Sequence, residues 1–237
     1  MVETPTLKEM LGAGVHFGHK TSRWHPKMAP YIFASKSGVH VINLEKTQEK
    51  LALALEYLAK ISSEGKKAVF VGTKKQAQAI VKEAAEACTM PYVTERWLGG
   101  TLTNFAVVQK AIKKLEKMKV LSQSRDFEEM KKRDRVKLMQ AIEKSENLVG
   151  GLVTMTEVPE ALILIGAHDE KNAVLEAKSA GVKIVALLDS NANPAGIDFP
   201  IPANDDATKS ITMFSKLFAD TIKKNKTLAK TSKEITT

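Results

Sequence analysis

The sequence predicts a three-layer α/β fold, a mainly parallel sheet between helices, with a helical hairpin inserted into it. Three observations carry this expectation. The apolar runs AVFVG (Ala68 to Gly72), ALILIG (Ala161 to Gly166) and KIVALLD (Lys183 to Asp189) have the length and composition of strands buried on both faces. Each strand gives way to a polar junction, and helices follow the first two, which is the βα rhythm of a parallel sheet. Between Asn104 and about Gly150 the rhythm stops, and two long, highly charged helical stretches take its place.

The elements follow in chain order. Residues 10 to 44 contain no Asp or Glu, yet carry Lys20, Arg23, Lys27 and Lys36, four histidines and the aromatics Phe17, Trp24, Tyr31 and Phe33. Cations interleaved with flat rings suit RNA, charge for the phosphates and rings for splayed bases. The alternative reading is an arm whose aromatics cover the core. His16 and His19 have zinc-compatible spacing on a helix, without the cysteine pair or glutamate that would strengthen a zinc site. Tyr31 to Phe33 and Val39 to Leu44 read as a hairpin around ASKSG, and Glu45 to Ser62 as a helix burying Leu51, Leu55, Leu58 and Ile61.

After Ala68 to Gly72, the junction GTKKQ puts Lys74 and Lys75 at a helix N-terminus, where free N–H groups favour anions. It has neither the P-loop pattern nor G-x-G-x-x-G, so a nucleotide site is not expected there. A short strand at TMPYV (Thr89 to Val93) leads to RWLGGTLTNF (Arg96 to Phe105), in which the glycine pair makes a turn and Thr103 or Asn104 caps the next helix. Arg96 can fork onto a phosphate, and Trp97 can stack or fill a pocket. Phe105, Val108, Ile112 and Leu115, and then Leu138, Ile142 and Val149, form two narrow stripes broken near SQSRD. The stripes define a hairpin that is either a solvated element or an arm for a protein partner. Lys171 to Ala180 is a helix, FPI (Phe199 to Ile201) the last strand, and the segment from Asn204 to Lys224 the closing helix. The body is residues 1–103 and 151–225, the insertion 104–150, and residues 226–237 a flexible basic tail.

Composition bounds the function. A formal charge of +9 over 237 residues favours a polyanionic partner. The apolar runs are too short for a membrane span, no apolar leader follows MVETPTLKE, and the single Cys88 forms no internal disulfide. Asp189, Asp205 and Asp206 fall after strands, where ligands of open parallel sheets bind, and could hold a divalent cation. Equally, Asn204 or Asp205 caps a helix and Asp189 a turn. Cys88 has no adjacent histidine, His168 serves as well as a polar cap, and G-x-S-x-G is absent, so the second hypothesis is a metal-dependent α/β enzyme acting on a phosphorylated substrate through Asp189, Asp205 and Asp206.

Five colinear blocks resemble a known family, the second protein of the bacterial small ribosomal subunit. They are AGVHFGHKTSRWHPKMAPYIF (Ala13 to Phe33), HVINLEKT (His40 to Thr47), FVGTKKQA (Phe70 to Ala77), RWLGGTLTNF and PIPANDDATKSI (Pro200 to Ile211). The resemblance implies a flavodoxin-like, five-stranded parallel sheet bearing a protruding α-helical coiled-coil hairpin. It implies no catalytic activity and no required cofactor, and a cytoplasmic, ribosomal location. The partners it implies are small-subunit ribosomal RNA and other small-subunit proteins, including the large mRNA-binding first protein recruited for initiation, with no membrane and no DNA. The RNA-facing residues it implies are Lys20, Arg23, Trp24, Lys27, Lys74, Lys75 and Arg96. The chain departs from the family pattern at His25, often Asn, at Ala203, usually Gly, and after LILIG, where an Asp is common.

Overall fold

The computed structural model describes residues 4–234, with side chains to Lys226. Its elements are α1 (Leu7–Gly12), β1 (Phe17–Lys20), β2 (Ile32–Lys36), β3 (Val39–Ile42), α2 (Leu44–Ser63), β4 (Ala68–Val71), α3 (Lys75–Ala87) and β5 (Tyr92–Val93). They continue with α4 (Phe105–Leu121), α5 (Arg125–Glu129), α6 (Lys132–Val149), β6 (Ala161–Ile165), α7 (Lys171–Ala180), β7 (Lys183–Leu188), β8 (Phe199–Pro202) and α8 (Thr208–Glu234).

Five strands form a wholly parallel sheet in the order β5-β4-β6-β7-β8. The two-residue alternation of a strand sends Phe70, Ile163, Ile165, Val185 and Leu187 to one face, where they meet Leu51, Leu55 and Leu58 of α2, Val81 of α3, and Phe214 and Phe218 of α8. Val69, Val71, Leu162, Leu164, Ala186 and Leu188 go to the other face, against Ala173 and Ala177 of α7, Trp97, and the root of α4. This is the flavodoxin-like sandwich expected, and two-sided burial explains why the strands read as unbroken apolar runs. Pro200 and Pro202 lie in β8, an edge strand, where a missing N–H costs no ladder bond.

A second, antiparallel sheet of order β1-β3-β2 lies at the N-terminal end. Ser37 and Gly38 both have positive φ (52° and 77°), as the mirror-image two-residue turn between β2 and β3 requires. The sequence gives no sign of β1: FGHK has neither alternation nor β-branched residues, and its pairing depends on a partner about 20 residues away. Tyr31 closes a 3-10 turn instead of opening β2, and Asn43 ends β3 early because its Oδ1 accepts from the N–H groups of Glu45 and Lys46 to cap α2. β5 is shorter than TMPYV because Thr89 takes a left-handed φ of 54° at the end of α3.

The inserted segment is α4 and α6, packed on each other along Val108, Ile112, Leu115, Ile142 and Val149, with the short α5 between them. α8 continues as backbone helix to Glu234, whereas the sequence reading makes residues 226–237 flexible; residues 235–237 of that tail lie outside the described residues. The lysine-rich stretch contains neither Gly nor Pro, so nothing in its propensity stops the helix.

The hairpin returns to the body through a 3-10 turn, Gly150–Leu152, pressed against β5. A Cβ at Gly151 would collide with the Tyr92 carbonyl and ring. Gly151→Ala should therefore destabilise the protein by at least about 1–3 kcal/mol. The measurement is the urea midpoint, and an unshifted midpoint would show that the root can yield.

Candidate nucleic-acid interface

Because the sheet is parallel, the loops after β4, β5, β6, β7 and β8 all gather at one edge. The N-terminal arm is fastened across that edge by backbone bonds. The His19 N–H donates to Ser190 Oγ (2.8 Å) and Asp189 Oδ1 (3.1 Å), His25 N–H to the Ser190 carbonyl (2.8 Å), and Asn204 N–H to the Val15 carbonyl (3.0 Å). Gly18 allows this approach: a Cβ there would lie 2.9 Å from Ser190 Oγ and 3.0 Å from the His40 carbonyl oxygen.

Side chains lock the same junction. His19 Nδ1 lies 3.0 Å from Asp189 Oδ1, and its Nε2 lies 3.4 Å from Asp206 Oδ2. The hydrogen bond to Asp189 raises the imidazole pKa above its ordinary value, against the opposing effect of burial. Lys74 Nζ sits 2.5 Å from Asp205 Oδ1, 2.7 Å from Asp206 Oδ1 and 3.6 Å from Asp169 Oδ2. Burial opposes the ammonium charge, but Asp205 and Asp206 outweigh it and hold Lys74 protonated. Burial pushes the Asp205 carboxyl up to about 6, with Lys74 pulling the other way. Its second oxygen has no hydrogen-bond partner and faces Gly166, whose φ of 90° and missing side chain leave room for the pair.

Lys74 therefore points into an acidic cluster, whereas Lys20, Arg23, Trp24, Lys27, Lys75 and Arg96 are exposed. Lys20 ends β1, Arg23 and Lys27 lie in the two 3-10 turns after it, and Trp24 is the extended residue that follows the first of those turns. The Trp24 ring, 39% exposed, leans on His40 at 5.1 Å. Arg23 lines a cleft of about 630 Å³ with His19, Lys74, His168 and Asp169. Lys75 and Arg96 lie further along the same edge, after β4 and β5.

The three carboxylates singled out in the sequence are divided by this geometry. Asp205 and Asp206 share Lys74, while the donor set within mutual reach, 4.8 Å, is His19, Asp189 and Asp206. Those three could hold a divalent cation. Asn204 takes the capping role, its Oδ1 accepting from the N–H groups of Asp206 and Ala207. His16 and His19 are not on a helix; His19 is in β1. Cys88 is buried at the far end of α3 with its thiol pushed up to about 11 by burial, which removes it as a nucleophile.

In the glycine-pair loop Trp97 is buried, and Asn104 makes no side-chain cap. The loop is held by Glu176 of α7: the Trp97 indole (3.1 Å) and Gly100 N–H (2.8 Å) donate to Oε1, and Leu102 N–H (3.0 Å) to Oε2. Burial would raise the Glu176 pKa, but these donors together bring it below the ordinary carboxylate value. Sequence reasoning missed Glu176 and the pairing of His19 with Asp189, because both join residues about 70 or more positions apart.

Residues 10–225 match the family model for ribosomal protein S2. The chain is 45% identical over 216 residues to the small ribosomal subunit protein uS2 of Francisella philomiragia, covering 91% of this chain and 90% of that protein. Identity and coverage are the same with uS2 of Francisella tularensis subsp. novicida.

A raised imidazole pKa means that the proton stabilises the folded arm. That contribution is complete below the unfolded value of about 6.5 and disappears as pH rises through the folded value. The difference in unfolding free energy between the protein and His19→Gln should accordingly narrow as pH rises above the unfolded value and through the higher folded one. A gap that stays constant or widens would remove the ionic part of this interaction.

Proposed function

The chain belongs to the ribosomal protein S2 family, and on that premise we propose that it is a structural constituent of the small ribosomal subunit that binds ribosomal RNA through its N-terminal arm. Membership makes it a ribosomal component of the cytoplasm and not an enzyme. The observation that carries the RNA reading is the exposed set Lys20, Arg23, Trp24 and Lys27 on a segment without acids, fixed over the strand ends by the bonds around His19. Fixed cations spread over turns suit phosphates and backbone shape better than base edges. Lys75 and Arg96 extend the surface. In this reading Lys74 positions the arm by holding Asp205 and Asp206, and a divalent cation on His19, Asp189 and Asp206 would tighten the same joint.

Recruitment of the large mRNA-binding protein of the subunit belongs to the same proposal. The hairpin supports a protein partner of this kind, with Val120, Val136 and Met139 exposed on its outer faces.

Replacing both Arg23 and Lys27 by Ala should weaken RNA binding and flatten its dependence on salt, by about 0.7–0.9 in logarithmic slope for each phosphate that is no longer neutralised. Co-sedimentation with small subunits at moderate and high salt gives the cellular counterpart. An unchanged slope would remove the arm from the interface, and a protein that stays at the top of the gradient would reject the ribosomal role.

A further inference from the structure

We propose that Glu176 is the positioning residue of the inserted hairpin, a carboxylate on α7 that sets the direction in which α4 leaves the body. The hairpin starts at Phe105, three residues beyond Leu102, whose N–H is bound to Glu176 Oε2. Two further donors, the Trp97 indole and the Gly100 N–H, meet Oε1. Both oxygens of one side chain thus hold three successive points of the loop from which α4 grows.

Packing alone would not fix this direction. Trp97, Leu102, Val108 and Ile112 are buried in one apolar cluster, but apolar attraction is non-directional and tolerates sliding and rotation. Hydrogen bonds to a carboxylate are directional and stronger than those between neutral groups. Gly100 suits the turn at this bond: its φ of 89° is a conformation in which a side chain is strained, and it lets the chain bend away while the Gly100 N–H stays on Glu176. The opposite root is held differently, by steric closure of Gly151 on Tyr92.

Leverage makes the angle matter. α4 has 17 residues, so at about 1.5 Å per residue a rotation of about 10° at its root moves the far end by roughly 4 Å. A rigid hairpin meets a large partner in one pose, while a loose one must be ordered during assembly. Glu176 acts in this way in the free protein, independently of any ribosomal role.

The test is the distance distribution between spin labels at Gln123→Cys, at the hairpin end, and Glu83→Cys, on α3, with buried Cys88 replaced by Ala. Glu176→Gln keeps the size of the side chain but sets an NH2 group against donors, and Gly100→Ala disturbs the same bonds without touching α7. Both should widen the distribution several-fold while the circular dichroism of the body is retained. A distribution as narrow as the parent's in both folded variants overturns the assignment, whether or not they still associate with ribosomes. So does global unfolding of both, which would make Glu176 part of the general fold. Failure of the parent protein itself to associate with ribosomes would instead reject the ribosomal role and leave the distance result standing.

Discussion

A fully buried carboxylate at the end of the last strand, Asp205, is the constraint on which the rest of the molecule depends. An unpaired charge there would cost several kcal/mol, so a cation must reach it, and Lys74, at the start of α3, does so. The same ammonium binds Asp206, Asp206 faces His19, and His19 faces Asp189. Alternating charges thus join the ends of β4, β7 and β8 to the N-terminal arm. The basic surface takes its position from this chain of pairs, which is why a lysine that reads as a ligand cation is used inside the protein.

Apolar burial and polar bonds divide the work. The two faces of the sheet supply the bulk of the stabilisation and fix which helices lie where, but they leave the arm and the hairpin undirected. Directed bonds finish both: Ser190 and Asp189 for the arm, Glu176 for the hairpin. Each of these acceptors comes from the later half of the chain, on or just after an element of the sandwich, so the appendages inherit the rigidity of the sheet.

The fold was largely legible because its signals are local. Apolar runs such as ALILI need only their own residues to be recognised as two-sided strands, and the stripe Phe105, Val108, Ile112 and Leu115 marks a helix without reference to its partner. β1 was not legible, since FGHK becomes a strand only by pairing with β3. At the site, residue type gave the charge of the arm but could not say which cations remain free. Lys74 and Lys75 are neighbours in sequence with identical chemistry, yet one is enclosed by carboxylates from residues 169, 205 and 206 and the other faces solvent. Trp97 and Trp24 diverge in the same way, the first buried and the second exposed. Such distinctions lie in pairings between distant positions, which one sequence does not display.

The attachment of the arm also sets an order of events during synthesis. Residues 14–25 leave the ribosome early, but their anchors, Asp189, Ser190 and Asn204, are made more than about 160 residues later. Closing so long a loop is entropically expensive and slow, and it cannot begin until β7 and the segment after β8 exist. Until those elements exist the arm is tied only locally, by the pairing of β1 with β3. The later strands then supply the acceptors that fix the arm across the ends of the parallel sheet, so the last part of the chain gives the first its shape.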